Sequence, residues 1–136
     1  MVQSASPATF YINPASGNDN GAGSQAAPFK TISRALKQAK SGDRIQLSTG
    51  TYSSASGEVF PLTVPGGVTL IGNESNKGSG ILISGSGRYI SRTFAGQNVT
   101  LLLETNAQLR GVTVTNQDTR GTGVWLESTN PVIVNC

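Results

Sequence analysis

The chain has 136 residues, which is enough for one domain with a core, and only 12% of them are charged. Its net charge is +3 and its ten basic residues are scattered from Lys30 to Arg120, which argues against nucleic-acid binding. Because it has no histidine and one cysteine, Cys136, the sequence excludes a Ser-His-Asp triad, an internal disulfide and a cysteine zinc site. We expect neither a metal nor another cofactor.

Two further features bear on location. No apolar run approaches the roughly 20 residues that a membrane helix needs, so membrane insertion is not expected. The first seven residues lack the basic and apolar regions of a secretion signal.

The first third of the chain predicts a strand at 10–12, a turn-rich loop at 13–24 and the only helix, Thr31 to Lys40. The apolar face of that helix follows the spacing i, i+3, i+4 and i+7, and consists of Ile32, Ala35, Leu36 and Ala39. Gly42 is expected to end it. A single amphipathic helix ahead of many strands is suited to cover one end of their core.

After the helix the apolar residues alternate with polar ones, which predicts short strands near 44–47, 62–64, 68–71 and 81–83. Residues 85–97 are less regular and predict an excursion that carries Tyr89.

Two segments near the C-terminus repeat each other, Leu101 to Val112 and Val124 to Cys136. Leu103 and Leu126 are 23 positions apart, and Leu109 and Ile133 are 24 apart. Such a period predicts an all-β coiled solenoid, which we favour over a β-sandwich because turns repeat together with strands. The last repeat stops inside its strand, which predicts a C-terminally truncated solenoid.

A family resemblance supports this fold. The opening motifs Tyr11-Ile-Asn-Pro-x-x-Gly-x-Asp, Pro28-Phe-x-Thr-Ile-x-x-Ala, Gly42-Asp and Gly50-Thr-Tyr resemble those of right-handed parallel β-helix proteins of the pectate-lyase-like superfamily. The continuation through Asn73 is most similar to the cyanobacterial-type family called domain of unknown function 1565. The resemblance implies one domain over 1–136, with strand, loop and capping helix in 1–43 and coils in 44–136. It also implies an extracellular or cell-envelope location, and no settled reaction.

Glu104 and Glu127 occupy equivalent positions on successive repeats, so their backbones are expected about 4.8 Å apart. Two such carboxylates could serve acid–base or calcium-assisted sugar chemistry. The alternative, which we favour, is a pair of solvated side chains at a strand end. They are therefore weak candidates for catalysis.

Leu102 and Trp125 are expected to point outward together, since Leu101, Leu103, Val124 and Leu126 are expected to point inward. An exposed Trp beside a Leu can contact a sugar ring or a partner protein. The alternative is that the 85–97 excursion covers both side chains.

The function expected from these features is that of a non-catalytic structural segment of a longer protein. Its uncovered last coil, Val132, Ile133, Val134 and Cys136, predicts a homodimer or higher oligomer. The alternatives are a polysaccharide lyase or hydrolase and a carbohydrate-binding β-helix.

Overall fold

The computed structural model describes residues 8–89, 96–118, 120–126 and 131–136. One short helix, α1, spans Ile32–Leu36, and a 3-10 turn spans Ser54–Ser56. Within the described ranges the strands are β1 Thr9–Ile12, β2 Arg44–Leu47, β3 Gly50–Tyr52, β4 Leu62–Val64, β5 Thr69–Ile71, β6 Ile81–Gly85, β7 Gly87–Tyr89, β8 Gln97–Leu103, β9 Gln108–Arg110, β10 Thr113–Asn116, β11 Thr122–Leu126 and β12 Val132–Val134.

The strands form three parallel sheets that the chain visits in rotation. Sheet A has the order β1-β2-β5-β9-β12, sheet B the order β10-β6-β3, and sheet C the order β11-β8-β4. From β2 onward the chain passes from A to B to C and back, and only β7 departs by pairing antiparallel with β8. This rotation is the pattern of a coiled solenoid, so the predicted all-β solenoid fold is confirmed.

The core consists of apolar side chains that stack from coil to coil. In sheet A, Ile45 pairs with Leu70, and Leu70 pairs with Leu109, and all three are fully buried. Sheet C stacks Leu62 on Leu101 in the same way. Each such side chain contributes about 1.5–3 kcal/mol by leaving water, so every coil stabilises its neighbours. The pleat directs the residues between them outward, and these include polar side chains such as Gln46 and Thr63 as well as the apolar Leu102.

The repeat predicted from the sequence is the register of the last coils. Leu126 pairs with Leu103, and Ile133 pairs with Leu109. The turn is repeated too, because Gly111 and Asn135, 24 positions apart, both have left-handed backbones with φ of 61° and 54°. Glycine and asparagine are the residues that adopt this conformation most easily.

Helix α1 is shorter than predicted, since it ends at Leu36 rather than Lys40. Its N-terminus is capped by the Thr31 hydroxyl, which accepts a hydrogen bond from the Arg34 amide. At the other end the Lys40 amide donates to the Asp43 carboxylate at 2.9 Å instead of continuing the helix. Gly42, with φ of 95°, belongs to the following turn.

The buried face of α1 lies over the first coil. Ile32 and Ala35 are fully buried in the core together with Phe29, and α1 contacts β1 and β4. Across the described ranges, no helix has the length and apolar character needed to cross a membrane.

Candidate functional site

The N-terminal end of the solenoid contains a buried carboxylate. Glu58 is only 4% exposed, and its Oε2 accepts a hydrogen bond from the Ile32 amide at 2.7 Å. Its Oε1 accepts from the Ser33 amide at 2.9 Å and from the Ser33 hydroxyl at 2.7 Å. Burial raises the pKa of the Glu58 carboxyl, and the hydrogen bonds from Ile32 and Ser33 oppose that rise. Glu58 therefore satisfies the free amides at the start of α1.

Two aspartates act in the same way nearby. The Asp19 carboxylate accepts hydrogen bonds from the Lys30 and Thr31 amides, both at 2.9 Å, and from the Thr31 hydroxyl at 2.8 Å. Asp43 accepts from the amides of Ala8 and Lys40. All three carboxylates thus bond backbone amides around α1, which gives each of them a structural role.

Glu58 and Asp43 were not predicted from the sequence to bond the backbone amides around α1. One feature of the sequence indicated such a role: Glu58 directly follows Gly57 and Asp43 directly follows Gly42. Each acidic residue therefore comes directly after a glycine in a tight turn. A helix start exposes amides that need acceptors, and a carboxylate in a neighbouring turn can supply them. The sequence does not show that Glu58 and Ile32, which are 26 positions apart, come within hydrogen-bonding distance in the fold.

Glu104 lies exposed in the turn after β8, where its amide donates to the Val64 carbonyl at 3.1 Å. Its predicted counterpart Glu127 lies outside the described residues, so the carboxylate pair stays a prediction. The pairing of Leu103 with Leu126 places the residue before each glutamate in register.

Leu102 and Trp125 are paired neighbours in sheet C, as predicted. Both are half-buried. Strand β7 brings Tyr89 close to this pair, with its ring centroid 6.3 Å from that of Trp125. The excursion at 85–97 therefore contributes an aromatic side chain to the surface around Trp125.

The outer face of sheet A has a shallow polar cleft of about 460 Å³, lined by Gly42, Arg44, Gly67, Thr69, Glu74, Gln108 and Arg110. Within it, Arg110 Nε lies 2.5 Å from Glu74 Oε1, and Arg110 Nη2 lies 3.3 Å from Glu74 Oε2. The Asn135 side-chain amide donates to the same Oε2 at 3.0 Å. The Arg110 hydrogen bond, and after it the Asn135 hydrogen bond, lower the pKa of Glu74. Glu74 thus has one partner on β9 and another just after β12.

The last coil repeats the core positions but leaves them open. Leu126 is 45% exposed although its neighbour Leu103 is buried, and Ile133 is 44% exposed although its neighbour Leu109 is buried. Val132 is also exposed and Val134 is half-buried, both on the outer face of β12. Cys136 is exposed, with its thiol directed at the Val134 carbonyl at 3.3 Å.

No group of three or more acidic or cysteine side chains that could hold a metal ion occurs within the ranges that the structure describes.

A family model described as "protein of unknown function (DUF1565)" matches residues 15–136. The chain belongs to this family. A search of the curated proteins found no match. The DUF1565 match covers α1 and the strands from β2 to β12.

Proposed function

We propose that this DUF1565 chain is a non-catalytic structural β-solenoid segment whose last coil binds a second copy of the same chain. The proposal is carried by one observation: core positions that are fully buried in earlier coils are exposed at β11 and β12. Leu126 and Ile133 form this surface, which we call the open coil face.

The repeat indicates which surface could bind the open coil face. Leu109 stacks on Leu70, and Ile133 stacks on Leu109, with the same parallel register. The surface that best matches the open coil face is therefore another coil of the same cross-section. Strand β12 is also the edge of sheet A, with backbone groups directed away from β9 and available for pairing. A second copy offers both features at once, most simply through a two-fold axis.

The roles of the carboxylates support a structural reading. Asp19, Asp43 and Glu58 bond backbone amides near α1, and Glu74 pairs with Arg110. Each has a structural partner, as expected for a scaffold.

Sedimentation velocity over a wide concentration range tests the proposal. We expect a concentration-dependent dimer, because burying the open coil face removes apolar surface from water. The substitution Ile133→Glu places a charge in the middle of that face and is expected to give monomers. A wild-type chain that stays monomeric at the highest soluble concentration would rule the proposal out.

Val59→Glu is the matched control. Val59 is the most exposed large apolar residue described, at 72%, but it lies beside α1 at the other end of the solenoid. Its substitution has the same chemistry and is expected to leave dimerisation unchanged. If Val59→Glu abolishes association as fully as Ile133→Glu does, the interface lies elsewhere.

A second candidate, carbohydrate binding, is favoured by the aromatic pair Tyr89 and Trp125 beside Leu102. Aromatic faces next to an aliphatic side chain match the apolar faces of sugar rings. Trp125 is the only tryptophan, so its fluorescence reports on this surface directly. We expect titration with neutral oligosaccharides such as cellohexaose or xylohexaose to shift the emission, and Tyr89→Ala to weaken the response. No shift at millimolar sugar would contradict this candidate.

A further inference from the structure

Glu74 is the side chain that connects three successive coils on sheet A. It follows β5 in the turn at 73–80, it pairs with Arg110 on β9, and it accepts a hydrogen bond from Asn135 just after β12. Strands β5, β9 and β12 are consecutive neighbours in the sheet. The Glu74 carboxylate thus bonds to a residue on β9 and to a residue just after β12, the strand that pairs with β9.

The turn chemistry explains why this contact forms at Asn135. At the equivalent position one coil earlier, Gly111, a β-carbon would lie 2.6 Å from the Asn73 carbonyl carbon and the Glu74 nitrogen, so the 73–80 turn packs directly on the glycine. At Asn135 the left-handed backbone is kept, with φ of 54°, but a side chain is present. Its amide reaches back to Glu74 Oε2 at 3.0 Å.

The charges facing Glu74 come from several elements. Arg110 on β9 donates to it directly, and Arg44 on β2 also lowers the pKa of Glu74 by its positive charge. After β12 the neighbours are the neutral amide of Asn135 and the thiol of Cys136, which interacts with Arg110. Lys77 lies in the same turn and is exposed. The charges that act on Glu74 itself, those of Arg110 and Arg44, are therefore positive.

We propose that Glu74 is a charge-dependent latch that holds β12 in register on β9. Because β12 is the edge of the open coil face, the latch also controls whether an ordered strand is offered to a second copy; this second part depends on the proposed function above. With Glu74 ionised, Arg110 and Asn135 are both held and β12 is ordered. With Glu74 neutral, the attraction to Arg110 is lost and β12 separates from β9 more often.

Amide hydrogen exchange measured by NMR on a dilute, monomeric sample tests the latch. Two hydrogen bonds report on β12: the Val132 amide donates to the Ala107 carbonyl at 2.9 Å, and the Gly111 amide donates to the Val134 carbonyl at 3.0 Å. Glu74→Gln keeps the shape and removes the charge. We expect both amides to exchange about two- to fivefold faster, as fits the loss of one exposed ion pair.

Two variants complete the design. Asn135→Gly retains a residue suited to the left-handed backbone and removes only the amide arm, so we expect a smaller acceleration at the same two amides. Lys77→Gln is the control, since the Lys77 side chain makes no hydrogen bond or ion pair within the described part of the chain, and its backbone amide, which donates to the Glu74 carbonyl at 3.2 Å, is kept in the variant; exchange should match wild type. These variants also serve if Glu74→Gln fails to fold.

The outcomes separate the latch from the proposed function. Unchanged exchange in both Glu74→Gln and Asn135→Gly would overturn the latch, whether or not the chain associates. Faster exchange together with weaker dimerisation of Glu74→Gln by sedimentation supports both parts. Faster exchange in a chain whose wild type never dimerises supports the hold on β12, and it overturns both the control of association and the proposed function.

Discussion

The first and the last coil of the described solenoid differ in how far their inward apolar side chains are buried. At the first coil, Ile45 lies in one buried core with Phe29 and with Ile32 of α1, and carboxylates such as Glu58 accept hydrogen bonds from the backbone amides around the helix. At the last coil, Ile133 occupies the position equivalent to Ile45 and stays exposed. The inward side chains are alike at both ends, so the difference lies in what covers them.

This comparison indicates where the stability of the fold resides. A buried carboxylate with three hydrogen bonds loses them only if the helix moves, whereas the ion pair of Glu74 and Arg110, which is partly accessible to solvent, is screened by water and salt. We therefore expect the first coils to be the rigid part and the last coil to be the adaptable part.

The largest expected effect contrasts one side chain at the two ends. Ile45→Ala should lower the free energy of unfolding by about 2–5 kcal/mol, because it leaves a cavity in a packed core. Ile133→Ala should cost less than about 1 kcal/mol in a monomeric sample, since the side chain is already half in water. Urea unfolding followed by far-ultraviolet circular dichroism measures both. Equal losses would mean that the last coil is covered in solution.

A smaller loss in the free energy of unfolding is expected from a substitution at Glu58, beside α1. In Glu58→Gln the new side-chain NH₂ faces the Ile32 amide, so one acceptor is lost in a buried place, at a cost of about 1–3 kcal/mol. Glu104→Gln is the matched control, because Glu104 is exposed, and it should stay within about 0.5 kcal/mol of wild type. The same unfolding measurement applies. A neutral Glu58→Gln would show that the cap does not stabilise α1.

The smallest expected effect is an opposite response of the two ends to acid. The raised pKa of Glu58 means that the folded state binds the proton more tightly, so this group's contribution to stability falls as pH rises from its ordinary value of 4.5 through the raised pKa. The lowered pKa of Glu74 means that its contribution is complete above 4.5 and is lost as pH falls through the lowered pKa.

Carbon-13 NMR of the two side-chain carboxyl groups measures this contrast. The Glu58 carboxyl should titrate above 4.5 and the Glu74 carboxyl below it. If Glu74 titrates at an ordinary or higher value, its pairing with Arg110 does not persist in solution and the adaptable end has no electrostatic hold.

The sequence predicted several elements of the fold well, for identifiable reasons. The pairing of Leu109 with Ile133 followed from the repeat, because parallel coils of equal length bring equivalent residues together. The helix was predicted to end four residues too late, at Lys40 instead of Leu36, because apolar spacing continues through Ala39 while the Asp43 carboxylate accepts a hydrogen bond from the Lys40 amide. That capture depends on a turn that spacing rules do not describe.

The candidate site was less accessible from the sequence. The outward pair Leu102 and Trp125 followed from alternation, and the excursion that carries Tyr89 was one expected cover for it. The contact between the Tyr89 and Trp125 rings depends on the antiparallel pairing of β7 with β8, which the sequence did not predict. Glu74 gave no signal, since its partners Arg110 and Asn135 lie 36 and 61 positions away. Contacts at such distances are set by the length of each coil, which varies with its loops.

The sequence by itself determined the solenoid and the inward rows of apolar side chains, because periodicity and alternation are local properties of the chain. Only the tertiary structure decided which carboxylates are buried as caps and which one joins three coils. Those roles depend on the distances between turns that are far apart along the chain, and stacking of the coils sets these distances.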